Sequence, residues 1–227
     1  MRLVAFNGSP RGALSNTAIL AAKFLKGLSE ATGTSAETYV LRQTTELDEQ
    51  LKAFGQADQV LLAFPLYVDA MPAVVKAFIE ALEPFCGRTG NPGLLFLVHS
   101  GFPEAVHSRA VERYLKKLAK RLGCAYHGTI IKPGSEGIRL RPEAMNRIIF
   151  ERMQALGRIF GSQGRLDQEI VKQLAKPERL GLWQIALYSV LNTLGLANKY
   201  WDTMLKKHNA YHRRYDRPYA KEPDGQD

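Results

Sequence analysis

The opening stretch MRLVAFNGSPRGALSNTAILAAKFLKGLSE (1–30) decides how the rest of the chain is read. LVAF (3–6) is a short continuous apolar run, FNGSPRGALSNT (6–17) is a polar loop with two glycines, and Ile19, Leu20, Ala22 and Phe24 then recur at helical spacing. Ser15 and Asn16 stand just before the periodic stretch, where a side-chain oxygen satisfies amides left free in a first helical turn. The order is strand, loop, helix.

That rhythm repeats. ETYVL (37–41), QVLLAF (59–64), LLFLV (94–98) and AYHGTII (125–131) are further strand candidates, with helices predicted over 16–31, 46–56, 72–84 and 106–122. Near-continuous apolar strands imply burial on both faces, which arises when crossover helices cover a parallel sheet. Pro72 suits a first helical turn, and Gly123 suits a helix stop. Right-handed crossovers leave few topologies for five strands, and the common one is order 2-1-3-4-5 in an α/β fold.

After residue 131 the strand rhythm stops. KPGSEG (132–137) reads as a turn-rich loop, and 143–161 as a helix carrying Met145, Ile148, Ile149, Met153, Leu156 and Phe160. A break at 161–164, a short helix and Lys176-Pro177 follow. The predicted organisation is an α/β domain over 1–162 and a helical extension over 163–227. Leu180 to Ala197 is the most apolar stretch and has no charge, but it is short of the roughly 20 residues a membrane span needs, and Gln184, Ser189, Asn192 and Thr193 interrupt it. It is read as a helix packed on the domain or on a partner subunit. Contact of 180–214 with anionic lipid, through Lys199, Lys206, Lys207, Arg213 and Arg214, is the lesser reading. The tail from Glu222 is expected to be disordered.

Composition narrows the class. Of 227 residues 45% are hydrophobic and 23% charged, which fits a globular chain with a buried core rather than a disordered one. Cys86 and Cys124 are too few for a disulfide framework or a metal cluster and are read as core thiols. The N-terminus lacks the basic stretch and long apolar run of a secretion signal, so a cytoplasmic setting is expected. The net charge of +9 comes mostly from the second part: 14 basic against 11 acidic residues up to 131, and 17 against 11 after it. No nucleic-acid-binding signature accompanies the charge, and nucleic acid is set aside as a partner.

In such sheets ligands bind beyond the carboxyl ends of the strands at the switch point, here the loops 7–15, 65–71 and 99–105. The first offers the hydroxyls of Ser9, Ser15 and Thr17, the Asn16 amide and a helix start, with Gly8 and Gly12 allowing close approach. It reads as a phosphate site. It has no GxxxxGK[ST], no GxGxxG and no cysteine, which excludes a triphosphate P-loop, the dinucleotide fingerprint and a cysteine phosphatase.

FNGSPRGALSNT (6–17) resembles the GSPR-x-x-x-SNT phosphate loop of flavodoxin-like NAD(P)H-dependent FMN reductases and quinone reductases. FPLYVDAMPAVVKAFIE (64–80) is similar to the P-L-Y-x-x-x-x-P-x-x-x-K segment of the same family. The resemblance covers about residues 2–160 and implies a flavodoxin-like three-layer sandwich. By it, Ser9, Arg11, Ser15, Asn16 and Thr17 match positions that hold the FMN phosphate, and Arg11 would serve that phosphate or a nicotinamide cofactor's. Pro65, Leu66, Tyr67 and Val68 would lie along the isoalloxazine ring, with the amides of Leu66, Tyr67 and Val68 donating to its reduced form. Ser100, Gly101 and Phe102 would meet the pyrimidine edge or a ring face. Tyr67 and His99 are the side chains considered for the chemistry, with no catalytic residue assigned and no metal expected.

The resemblance further implies NADH or NADPH as co-substrate, a small-molecule electron acceptor such as a quinone, flavin, nitro or azo compound, and a homodimer. Three rivals stand beside it. A flavodoxin-type electron carrier would tend to be acidic and lack the arginine. An iron-sulfur flavoprotein would need a cysteine cluster. An adaptor would keep a vestigial FMN and dock through its basic C-terminal region.

Overall fold

The computed structural model describes residues 2–41, 46–195, 198–217 and 219. The tail expected to be disordered lies outside the described residues. Five parallel strands, β1 (Leu3–Asn7), β2 (Glu37–Val40), β3 (Gln59–Pro65), β4 (Gly93–His99) and β5 (Tyr126–Lys132), form one sheet in the order β2-β1-β3-β4-β5. The side-chain period of two divides each central strand between two cores. Val4, Phe6, Val60, Leu62, Phe64, Leu94 and Phe96 face one way, and Leu3, Ala5, Leu61, Ala63, Leu95 and Leu97 face the other. Both sides are buried, so these strands read as unbroken apolar runs.

The first of these cores is closed by α2 (Leu47–Gln56), α3 (Ala73–Ala81) and α4 (Arg109–Leu122), and the second by α1 (Asn16–Thr32), α5 (Glu143–Gln163) and α6 (Gln168–Leu174). α1 and α5 cross at backbone contact. A methyl group on Gly27 would sit 1.9 Å from the Gln154 carbonyl oxygen, and one on Gly157 1.9 Å from that of Phe24. Their glycines therefore fix how closely α1 and α5 approach each other over the sheet.

Several boundaries differ from expectation for identifiable reasons. The helix predicted over 72–84 has Pro72 as N-cap and ends at Ala81, and Pro84, which has no N–H to donate, sits in a following 3-10 turn Glu83–Phe85. Cys86 closes that turn and is exposed, so the core-thiol reading fails for it; Cys124 is buried, and burial pushes its thiol up to about 11. The helix predicted from 106 begins as a 3-10 turn Ala105–Ser108 before α4.

The chain divides into two compact units, Met1–Arg179 and Leu180–Asp227, rather than at 162/163. Leu166 and Leu174 lie in the core with Phe24, Met153 and Phe160, which draws α6 into the first unit. The amides of Ala105 and Val106 then donate to the carbonyls of Pro177 and Glu178 at 3.0 and 3.1 Å. The Arg109 guanidinium holds the Glu178 carboxylate at 2.7 Å.

The second unit contains α7 (Leu182–Thr193) and α8 (Lys199–Lys207). α7 has no buried residue. None of the described helices is long and apolar enough to cross a membrane.

Candidate functional site

The strand register aligns the carboxyl ends of the central strands. Asn7 is opposite Ala63, Pro65 opposite His99, and His99 opposite Lys132. Four loops therefore emerge on one edge of the sheet, those after β1, β3, β4 and β5.

The loop after β1 winds around the buried Asn7 side chain. Its Nδ2 donates to the Gly12 carbonyl at 3.0 Å and to Ser15 Oγ at 3.3 Å, and its Oδ1 accepts from the Ser9 amide at 3.0 Å. Gly12 adopts a left-handed φ of 57°, which its lack of a side chain permits. Gly8 serves packing, since a methyl group there would meet Val75 Cγ2 at 2.1 Å.

Ser15 is the N-cap of α1. Its Oγ accepts from the Ala18 amide at 3.1 Å and donates to the Gly12 carbonyl at 2.6 Å. The Ile19 amide reaches the Ser15 carbonyl at 3.3 Å. Of the four amides a helix start leaves without intrahelical acceptors, those of Asn16 and Thr17 remain for a ligand. Ser9 Oγ accepts from the Arg11 amide at 3.3 Å, which leaves its proton to donate. The exposed Arg11 guanidinium lies 3.8 Å from Glu136, a loose surface pair. Two amides, a hydroxyl and a guanidinium at the positive end of a 17-residue helix form a donor set whose chemistry suits an anion.

Other side chains predicted for this loop are used inside the protein. The Asn16 carboxamide donates to the carbonyls of Ser135 and Glu136 at 3.0 and 3.1 Å, which fastens the loop after β5 to the start of α1. Thr17 Oγ1 lies 2.7 Å from His99 Nε2, His99 Nδ1 lies 2.8 Å from Ser135 Oγ, and Ser135 Oγ donates to the Ser100 carbonyl at 2.9 Å. The last bond orders the chain. With its proton on Ser100, Ser135 accepts from Nδ1–H, so Nε2 is unprotonated and accepts the Thr17 hydroxyl proton. His99 is buried, and burial followed by the charge of Lys132 lowers its pKa to about 4, consistent with a neutral ring. Lys132 is itself lowered to about 8, first by burial and then by Arg141 and Arg152, and its ammonium donates to the Pro133 carbonyl.

The loop after β3 forms a two-residue hairpin. Tyr67 and Ala70 exchange amide-to-carbonyl bonds of 2.8 and 3.0 Å around Val68 and Asp69, whose φ values of 47° and 63° are both left-handed. Such turns favour Asn-Gly or Asp-Gly, so a β-branched valine there stores backbone strain. The Leu66 amide donates to the His99 carbonyl at 2.7 Å. The expectation that Leu66, Tyr67 and Val68 offer amides to a ligand is therefore corrected: the sheet consumes the first, the hairpin consumes the second, and only Val68, beside Asp69, presents its amide at the tip.

In the loop after β4 the Ser100 hydroxyl, predicted for the site, donates to the Phe102 carbonyl at 3.3 Å. Phe102 stacks on His107 with centroids 4.5 Å apart. His107 Nδ1 approaches Asp69 at 3.3 Å and Nε2 approaches Glu104 at 3.5 Å, so the hairpin tip is tied to the loop after β4. Gly101 is not sterically required, since a methyl group there would touch the Glu136 side chain at an ordinary 3.7 Å.

The family defined by the flavodoxin-like fold matches residues 1–156. The chain belongs to that family. No curated protein matches this flavodoxin-like chain. Similar solved structures include an FMN-dependent NADH-azoreductase from Bacillus anthracis str. Ames Ancestor in complex with FMN, at 14% identity and TM-score 0.55, covering 71% of this chain and 100% of that one. An NAD(P)H:quinone oxidoreductase from Methanothermobacter marburgensis is 16% identical at TM-score 0.54, covering 70% and 95%. An NADH:FMN oxidoreductase in its apo form is 19% identical at TM-score 0.53, covering 82% and 98%.

In this flavodoxin-like domain the three loops named from sequence do meet at one edge. The loop after β5, with Ser135 and Glu136, and the Asp69–His107 tie were not foreseen. The positive φ of Gly134 marks that loop's turn, but only as one glycine among many.

Proposed function

We propose that this protein is an FMN-dependent oxidoreductase that takes hydride from NADH or NADPH and delivers it to a small-molecule acceptor of the quinone, flavin, nitro or azo class. The observation that carries the reading is the donor set at the start of α1, whose unspent amides of Asn16 and Thr17, Ser9 hydroxyl and exposed Arg11 fit a phosphate monoester. Two of the similar structures name FMN, which supports the choice of FMN as its bearer. FMN, when bound, supplies the hydride chemistry, which removes the need for a protein nucleophile or acid–base pair.

The residues then have distinct parts. Arg11, exposed and loosely held by Glu136, would pair with the phosphate. Ser15, Asn16 and Thr17 serve it through the backbone they position rather than through their side chains. Tyr67, the Val68 and Asp69 amides, and the Phe102–His107 stack border the place where the ring and the second substrate would lie. His99, with both nitrogens bonded and its ring neutral, is a positioning residue that joins the loops and donates no proton to substrate.

The test is anaerobic rapid mixing of the FMN-loaded protein with NADPH and with NADH. Prompt bleaching of the flavin by one of them, followed by reoxidation on adding a soluble quinone, is expected. A flavin that stays oxidised for minutes with both would overturn the reductase reading in favour of a single-electron carrier.

A further inference from the structure

The uncharged helix α7 leaves its apolar side chains in solvent. Trp183, Leu187, Val190, Leu191 and Leu194 recur at spacings that put them on one side of the segment, while Leu182 and Ile185, also at least half exposed, lie on the other side with Ser189, Asn192 and Thr193. Trp183, Leu187, Val190 and Leu194 are each at least half exposed. Exposed apolar surface of this extent marks an interaction site.

The residues after it indicate what the site meets. From Leu180 to Tyr219 the chain carries six basic residues, Lys199, Lys206, Lys207, Arg213, Arg214 and Arg217, against two acidic ones, Asp202 and Asp216, and the segment stays net positive to its end. Arg213 is paired with Asp216 at 2.8 Å, while Lys206 and Arg214 lie over the Tyr211 ring, which neutralises neither. Trp201, Tyr215 and Tyr219 are exposed beside them. An uncharged apolar helix followed by cations and amphipathic aromatics is the composition of a segment that lies at a lipid interface. A second copy of the chain would bring like charge against like charge. At 12 residues α7 is about 18 Å long, well short of the bilayer's hydrocarbon thickness, so it lies in the interface rather than across it.

We propose that residues 180–217 attach this protein to the surface of an anionic lipid bilayer, with the Trp183–Leu187–Val190–Leu194 side of α7 immersed at the headgroup boundary and the basic residues after it held by lipid phosphates. Attachment is independent of the flavin reading. Its consequence, a reductase placed beside lipid-dissolved acceptors, rests on that reading.

The chain supplies its own probe, because its two tryptophans, Trp183 and Trp201, both lie in this unit. The full-length protein is mixed with vesicles of phosphatidylcholine alone and of phosphatidylcholine with phosphatidylglycerol, and tryptophan emission and co-flotation are followed. The expected result is a blue shift and flotation with the phosphatidylglycerol vesicles, weakened by salt. Lys206→Glu/Lys207→Glu should weaken binding by roughly fivefold or more per lost basic residue. Leu187→Glu/Val190→Glu should abolish the shift while its circular dichroism and FMN titration match the parent, since both positions are exposed. No shift or flotation with either vesicle overturns the proposal. So does equal binding to both vesicles, or a blue shift without lipid that tracks protein concentration and a doubled sedimenting mass, which would assign the surface to a second copy. Because these readouts do not involve flavin reduction, they fail separately from the reductase reading.

Discussion

Protonating His99 should break the chain that joins three of the four loops, and the cost can be worked from its surroundings. Buried and facing the charge of Lys132, its ring titrates at about 4, against an ordinary 6.5. The unfolded chain therefore binds a proton over a range in which the folded one does not. The stability His99 contributes is complete above its unfolded value and is lost as pH falls toward the folded one. With those two values, linkage gives a loss of about 2 kcal/mol between about pH 7.5 and pH 5, rising to about 3 kcal/mol below pH 4. At an m value of about 2 kcal/mol/M, the urea midpoint should drop by about 1 M over the first interval. His99→Gln keeps a donor and an acceptor but does not titrate, so its midpoint should drop by about 1 M less than the parent's. His127, also lowered by burial, is present in both proteins and cancels. Equal midpoint drops in parent and variant would refute the buried, neutral ring and the bonding order derived from it.

Three other outcomes follow from the geometry. Gly157→Ala, which places a methyl group 1.9 Å from the Phe24 carbonyl oxygen, should force α1 and α5 apart and cost about 3 kcal/mol, read as a lowered thermal midpoint. Arg11→Ala should weaken FMN binding about tenfold by fluorescence titration and leave the unfolding midpoint unchanged, because its guanidinium is exposed and its ion pair with Glu136 is long. Val68→Gly, which relieves a β-branched residue at φ 47°, should raise stability by about 1 kcal/mol in urea while slowing turnover, as the hairpin loses its fixed shape.

The sheet was legible because its signal is local. Leu3 to Phe6 and Leu94 to Val98 are apolar at every position, as burial on both faces requires, and the order β2-β1-β3-β4-β5 is the common one among the few that right-handed crossovers leave. The place of the candidate site, the shared edge where these loops emerge, was legible for the same reason, since strand ends and a capped helix are marked by Asn7, Gly12 and Ser15. The division of labour within it was not. Asn16 is held by main-chain carbonyls of Ser135 and Glu136, 119 and 120 positions away, and a carbonyl is a partner every residue offers. The hairpin at Val68-Asp69 was hidden because valine is among the residues that disfavour its conformation. The boundary at 179/180 depends on Leu166 and Leu174 reaching the core, which a short helix after a glycine break does not announce.

The phosphate assignment stands or falls on a comparison of FMN with riboflavin, which differ only in the terminal phosphate. Titrated into the purified protein, FMN should bind at least about a hundredfold more tightly, since several hydrogen bonds to a charged group are lost with riboflavin. Equal affinity for the two, or no binding of either, would contradict the site at the start of α1.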